Sequence, residues 1–283
     1  LTARASAPQT TDTSRTMPAQ VIFIGAGPGA ADLITVRGAR LLEQAQVVLF
    51  DALTDPALHE LAPQAQWLDV GKRGFAHATG QAQINALLVE AALTHSGTVV
   101  RLKGGDPSVF GRLEEEMAAL QAAGIAHQVV PGVTAALAAA AAAQRPLTRR
   151  GSGRSVSLTT AMTHLGTLQA TRTADTEVFY MAGRQLGALS TKLRQAGWPG
   201  DAPVLVLSRA GWPDALASQH TVASLADAEA AHAGRPAVVT VGAGAAPVGA
   251  ATLSSSTDTG ANSDTNMTLA LDRPHTGQAD AAA

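Results

Sequence analysis

An α/β fold with a mainly parallel sheet is what this sequence predicts, and three observations carry the prediction. Short apolar runs such as Val21–Ile24, Val47–Phe50 and Val99–Leu102 alternate with segments of helical periodicity. The runs close on turn-forming or polar residues: Gly25 after the first, Asp51 after the second, and Lys103-Gly104-Gly105-Asp106-Pro107 after the third. The alternation starts afresh near Ser155 without an internal sequence repeat, so two α/β domains meeting at a cleft are expected.

Each element follows from local pattern. After Val21–Ile24, a helix over Thr35–Ala45 gathers Leu33, Val36, Leu41 and Leu42 into an apolar stripe. Strand Val47–Phe50 comes next. A helix over Thr79–Thr94 places Ile84, Leu87, Leu88 and Ala91 on one face. Strand Val99–Leu102 leads to a helix over Arg112–Ala123 that Gly124 stops, and strand Gln128–Val130 ends at Pro131-Gly132. Thr134 then caps an alanine-rich helix that ends before Pro146. The second set has strands Ser155–Thr159, Val178–Tyr180, Val204–Leu207 and Ala237–Val241, with helices near Gln185–Ala196 and Ser224–Ala231.

Composition bounds the function. With 46% apolar residues in 283, the chain can bury one large core or two modest ones. The absence of cysteine excludes disulfides, thiolate metal sites and cysteine nucleophiles, and it is compatible with a cytoplasmic location. A net charge of −2 gives no global field for nucleic acid or membrane. No apolar run approaches the roughly 20 residues of a membrane helix. Leu1–Ala19 is rich in Thr, Ser and Ala without a signal-peptide pattern; it is expected to be a disordered extension, with Met17 a candidate start. The stretch 249–283 has too few large apolar residues to offset its ordering entropy and is expected to be a disordered tail. The expected domains are 20–147 and 148–248, joined through the Arg/Gly/Ser-rich Thr148–Arg154.

Ligands of open α/β sheets gather beyond the carboxyl ends of the strands, and four such ends carry unusual residues. Gly25-Ala26-Gly27-Pro28-Gly29-Ala30 formally fits a dinucleotide fingerprint, with Asp51 placed like a ribose-binding acid. Against this, Pro28 lacks an N–H where amides should face pyrophosphate, and the following helix starts late; a tight strand-to-helix turn is the plainer alternative. The second end is Lys103–Pro107 with Phe110-Gly111-Arg112, where two glycines permit close approach of a ligand and an acid can accept from hydroxyl or ammonium groups. The third and fourth are Asp51 and Gly71-Lys72-Arg73, an acid and base that either face one cleft or lie on the surface. From Lys72 to Arg154 nine Lys/Arg stand against five Asp/Glu. That excess suits a substrate with many carboxylates, or simply a soluble surface. Three of the acids, Glu114–Glu116, open a helix and are expected to be solvated, outside any cleft.

These segments resemble the tetrapyrrole methylase family, and within it the branch that methylates uroporphyrinogen III. The similarity runs from about Val21 to Gly242. It rests on Val-Gly-Lys-Arg-Gly (70–74), Gln-Ile-Asn-Ala-Leu-Leu (83–88) and Val-Val-Arg-Leu-Lys-Gly-Gly-Asp-Pro (99–107), in family order with family-like spacing. Val-Val-Pro-Gly-Val-Thr-Ala-Ala (129–136), Pro-Leu-Thr-Arg-Arg-Gly (146–151) and Tyr-Met-Ala-Gly (180–183) extend it. The resemblance implies two αβα domains with an interdomain active-site cleft, a homodimer, and S-adenosyl-L-methionine as methyl donor. Carried over by position, Pro28, Gly104, Gly105, Asp106, Val109, Thr134, Ala135, Met181 and Ala210 would contact the donor, with Asp51 as proton acceptor and Lys72 as proton donor. Arg73, Arg101, Lys103, Arg112, Arg149 and Arg150 are the expected partners of substrate carboxylates. The sequence departs from the family pattern at Leu113-Glu114, where Gly-Gly is frequent, at Ala161-Met162 for Gly-His, at Ser208-Arg209 for Glu-Asn, and by a few extra residues around Trp212.

The implied reaction methylates positions 2 and 7 of uroporphyrinogen III to give precorrin-2, for sirohaem or cobalamin synthesis. No metal is needed, because the methyl arrives already activated on a sulfonium. A methyltransferase acting later in the corrin pathway is the rival within the fold, and an NAD(P)-dependent oxidoreductase the rival from another class.

Overall fold

The computed structural model describes residues 19–71, 80–163 and 166–249. Within them, parallel strands form where apolar runs are continuous. Strand β1 (Gln20–Gly25) is buried along all but its first residue, as a strand covered on both faces must be. It sits inside a five-stranded sheet with β2 (Ala45–Phe50), β3 (Gln66–Asp69), β4 (Thr98–Lys103) and β5 (His127–Val130) in the order β3-β2-β4-β1-β5. Every pairing in this sheet is parallel.

Side-chain alternation along these strands supplies two cores. Val21, Phe23, Val47, Leu49 and Val99 meet α2 (Gln81–Thr94) and α3 (Leu113–Ala122) through Ile84, Leu88 and Leu120. Ile22, Ile24, Val48, Val100 and Leu102 meet Leu42 of α1 (Val36–Leu42) and Leu58 of a 3-10 helix over Pro56–Leu61. The first layer of the protein is therefore helix–sheet–helix, as expected.

The second sheet departs from the parallel expectation. Its order is β6-β7-β10-β8-β9, from β6 (Val156–Thr160), β7 (Thr176–Tyr180), β8 (Pro203–Ser208), β9 (Leu216–Thr221) and β10 (Ala237–Gly242). Only β6 and β7 run parallel; β10 is antiparallel to β7 and β8, and β9 to β8. Antiparallel neighbours explain why β9 escapes sequence reading. Its residues are Leu-Ala-Ser-Gln-His-Thr, and backbone pairing with β8 rather than apolar content makes it a strand. One face of this sheet packs on α5 (Leu186–Gln195) through Leu186, Leu189 and Leu193. The expected helix at Ser224–Ala231 is a 3-10 turn, Leu225–Ala228, running into the short α6 (Glu229–His232).

The other face receives α4 (Ala135–Ala142), whose Ala136, Ala138 and Ala139 pack on Val178, Leu207, Ala210 and Val238. Small side chains let this helix approach the second sheet closely. The described residues belong to one compact unit. Ala19, expected in the mobile extension, is buried, and its N–H donates to the Ala92 carbonyl. The rest of the extension and the tail from Ala250 lie outside the described residues. Among the described residues no helix is long and apolar enough to cross a membrane.

Candidate active site

The loops after β1, β4 and β5 converge at glycines that admit no side chain. A Cβ on Gly25 would lie 2.6 Å from Gly132 Cα, and one on Gly132 only 2.3 Å from the Gly105 carbonyl oxygen. This tight junction turns Gly104 and Gly105 outward. A Cβ on Gly104 would meet only Leu53 Cβ at 3.6 Å, and one on Gly105 only the Val133 oxygen at 4.0 Å. Both face a cavity of about 600 Å³, within the range of small-molecule sites of roughly 300–1,000 Å³.

All nine positions expected to hold the methyl donor line this one cavity: Pro28, Gly104, Gly105, Asp106, Val109, Thr134, Ala135, Met181 and Ala210. The loops after β1, β4 and β5 supply the first seven, Ala135 already opening α4, and the second sheet supplies Met181 and Ala210, from just past the ends of β7 and β8. Asp106 holds the loops together: its carboxylate accepts from Ser108 N–H (2.8 Å) and from Gly132 N–H (2.9 Å). Thr134 occupies the N-cap position of α4 but makes no cap hydrogen bond. Its hydroxyl lies instead 2.6 Å from the Tyr180 hydroxyl, and Tyr180 oxygen accepts from Ala136 N–H at 3.3 Å. Tyr180 thus serves α4 as a cap supplied from the second sheet.

Backbone strain concentrates here. Among the described residues, five non-glycine residues have positive φ, and Phe110, Arg112, Met181 and Arg209, four of the five, line the cavity. Such conformations cost of order 1–3 kcal/mol each and persist where the surroundings enforce them, commonly at ligand sites.

Four ionisable side chains meet along one side of the cavity, Asp51, Arg101, Lys103 and Glu116. Strand alternation puts Arg101 and Lys103 on the same face of β4, each 2% exposed. Glu116, from α3, is fully buried; both its oxygens lie 2.9 Å from Lys103 Nζ, and Oε1 accepts from Arg101 Nη2 at 3.1 Å. Arg101 Nε at 3.3 Å and Gln81 Nε2 at 3.2 Å bring the donors to Glu116 to four. Arg101 Nη2 also reaches Asp51 Oδ1 at 2.6 Å, so one guanidinium joins the two carboxylates. Asp51, at the end of β2, is 31% exposed and opens to the cavity. Burial, and then the neighbouring Arg101, push the Lys103 ammonium below its ordinary pKa, with Glu116 opposing both.

The expected carboxylate partners fare unequally. Arg101 and Lys103 line the cavity, but their charges are already met by Glu116 and Asp51, so the expected cationic surface is neutralised there. Arg112 lines the cavity half-exposed, paired with Glu115 at 2.7 Å. Arg149 and Arg150 do not line it; the Arg149 guanidinium donates to the Ala246 and Pro247 carbonyls, and Arg150 is exposed elsewhere. Lys72 and Arg73 lie outside the described residues. Glu116 corrects the expectation of a solvated acidic run: Glu114 and Glu115 are exposed, Glu116 is not. Its position four residues before the buried Leu120 was the available signal, since i and i+4 share a helix face.

The second sheet contributes groups that motif reading missed. Arg209 stacks its guanidinium over Trp212 at 4.5 Å and pairs with Asp214 at 2.7 Å, which holds the Asp214 carboxyl below its usual range. Both Arg209 and Trp212 line the cavity, as do Tyr180 and Phe110, whose rings lie 4.9 Å apart.

The same geometry argues against a dinucleotide site. Ala26 N–H donates to Lys103 O, Gly27 N–H to Gly105 O, Ala30 N–H to Gly211 O and Ala31 N–H to Asp55. These amides are engaged within the protein and cannot cradle a pyrophosphate, and Asp51 faces a guanidinium rather than a ribose.

Comparison with known proteins identifies related chains. The chain is 40% identical to the uroporphyrinogen-III C-methyltransferase of Synechocystis, over 79% of this chain and 88% of that one. It is 38% identical to the siroheme synthase of Psychrobacter cryohalolentis over 82% of its own length, yet spans only 45% of that longer protein. The solved uroporphyrin-III C-methyl transferase of Thermus thermophilus complexed with S-adenyl homocysteine superimposes with a TM-score of 0.69, at 33% identity, covering 79% of this chain and 97% of that one. The family description Tetrapyrrole (Corrin/Porphyrin) Methylases matches residues 20–244, and the chain is a member of that family.

Proposed function

We propose that this protein transfers methyl groups from S-adenosyl-L-methionine to positions 2 and 7 of uroporphyrinogen III, giving precorrin-2 and S-adenosyl-L-homocysteine. The observation that carries the reading is the gathering of nine donor-site positions in one cavity beside Asp51. The residues present fit such a donor. Uncovered backbone at Gly104 and Gly105 admits close approach, Asp106 offers acceptors, and Val109, Ala135, Ala210 and Met181 give an apolar wall.

The donor supplies a methyl on a sulfonium, a good leaving arrangement that needs no metal. A pyrrole carbon of the reduced macrocycle attacks it: a carbon–carbon bond forms, the carbon–sulfur bond breaks, and the positive charge passes to the ring. Loss of a proton to the Asp51 carboxylate restores conjugation. Such general-base help is worth about 10²–10⁴-fold, and in-line positioning of carbon, methyl and sulfur supplies much of the rest. Lys72 is the proposed proton donor. Among the described residues, Arg112 and Arg209 are the cations that line the cavity outside the Glu116 cluster, and they take over substrate-carboxylate recognition from the buried pair in this reading.

A homodimer in the cytoplasm accompanies this reading. The edge strand β6 exposes Val156 and Leu158, apolar surface of the kind a second copy would cover. The decisive experiment is anaerobic incubation of the purified protein with uroporphyrinogen III and S-adenosylmethionine, read by product mass. Two added methyl groups are expected; no alkylated product would overturn the reading.

A further inference from the structure

Glu116 has a place that no part of the reaction above yet uses. It is fully buried, accepts from four donors on three side chains, and sits one guanidinium away from the proposed base. A buried ion-pair cluster kept only for stability is poorly explained, because apolar packing of similar volume commonly does as well. Resting on the proposed reaction, we propose that Glu116 is a positioning residue for methyl transfer: it clamps Arg101 against Asp51 and withholds the Lys103 ammonium from Asp51, keeping that carboxylate both oriented and basic.

The geometry supports each half of the statement. Arg101 is fixed from several sides, with Nε and Nη2 directed to Glu116 Oε1 (3.3 and 3.1 Å) and Nη1 to the carbonyls of Leu49 (3.4 Å) and Leu102 (3.1 Å). What remains of Nη2 is aimed at Asp51 Oδ1. Lys103 has both of its short contacts on Glu116 and none on Asp51, although Asp51 is near enough to act on it electrostatically. Without Glu116, two uncompensated cations would confront one carboxylate, and a carboxylate beside extra positive charge is a weaker base.

Among the described residues, the charged groups around Asp51 are few. Arg101 and Lys103 come from β4 and Glu116 from α3, whose neighbour Glu115 is already engaged by Arg112. Asp69 ends the adjacent β3 and accepts from Gly71 N–H at 2.9 Å. Lys72 and Arg73 follow outside the described residues.

The test is the pH dependence of kcat/KM for uroporphyrinogen III in three variants, with S-adenosylhomocysteine affinity measured alongside. Glu116→Gln should lower the plateau at least tenfold and move the acidic limb down by about one pH unit. Lys103→Met, which leaves Glu116 less compensated, should move that limb up. The double variant should return it toward the wild-type position while donor affinity stays unchanged in all three. A purely structural role would move stability but not shift the limb in opposite directions. Unshifted limbs, or shifts of the same sign, in folded variants overturn the proposal. Should Glu116→Gln not fold, Lys103→Met and the double variant still decide it. Wild-type protein without turnover would instead sink the proposed reaction, so the two failures are distinguishable.

Discussion

Each of the two sheets buries one glutamate completely, and the two are satisfied by opposite means. Glu116, under the first sheet, is met by Arg101 and Lys103 and faces the cavity. Glu177, on β7 of the second, is met among the described residues by neutral donors: the N–H and hydroxyl of Thr173, the N–H of Ala174, and the hydroxyls of Thr171 at 3.1 Å and Thr159 at 3.5 Å. Burial works to raise the Glu177 carboxyl, but the hydrogen bonds from Thr173, Ser157 and Thr171 outweigh it and hold the group below the usual glutamate range. Neutral donors satisfy a carboxylate locally and fix a loop; cations satisfy it at the cost of further buried charge. The ionic arrangement lines the cavity where the proposed reaction would move charge, and the neutral one sits away from that cavity.

That contrast can be broken or sharpened by experiment. The largest effect should come from Asp51→Asn, which keeps the shape of the ionic cluster and removes the proposed base. A fall in kcat of about 10²–10⁴-fold is expected, with S-adenosylhomocysteine binding unaltered in calorimetry; full turnover would show that the cluster serves only the fold. Next, Gly104→Leu should fill the donor side of the cavity at a position where the backbone needs no glycine conformation. At least a tenfold loss of S-adenosylhomocysteine affinity with an unchanged melting temperature is expected, and undiminished binding would relocate the donor.

The second sheet should answer in stability instead. Glu177→Gln turns one acceptor into a donor facing donors, an expected loss of about 1–3 kcal/mol near neutral pH, read as a shift in urea midpoint with catalysis retained. Because the folded-state value is depressed, the stability that ionised Glu177 contributes is complete above the unfolded-state range, about pH 4.3. It is lost as pH falls through the lower folded-state value. The gap between wild type and variant should therefore close on acidification; a gap independent of pH would mean that the charge is immaterial. The smallest effect belongs to Tyr180→Phe, which removes the acceptor of Ala136 N–H and the partner of Thr134. About 1 kcal/mol of stability should go, and no change would show that water replaces the hydroxyl.

Legibility in the sequence followed the range of the interaction concerned. The buried strands of the first sheet were readable because a strand covered on both faces is apolar throughout. The edge strand β9 was not, since its partner β8 defines it. The positions expected to hold the donor reached one cavity because their loops are bound to strand ends and to glycines that permit one close packing. The cations were misjudged. Arg101 and Lys103 counted toward a positive surface, and Glu116 toward a solvated run, while in space Glu116 and Asp51 together offset both cations. Arg149 counted as well, yet its partners are carbonyls nearly a hundred residues further along.

By itself the sequence determined the alternation of strands and helices, the glycine loops at the strand ends, and the family to which they belong. These are set by backbone preference and by periodicity within a few residues, which the chain carries wherever it goes. Tertiary structure alone decided the mixed direction of the second sheet, the capping of α4 by Tyr180, and which charges meet. Coulomb attraction and desolvation depend on distance and burial in space, and residues Leu49, Arg101 and Glu116 become neighbours only after β2, β4 and α3 have packed.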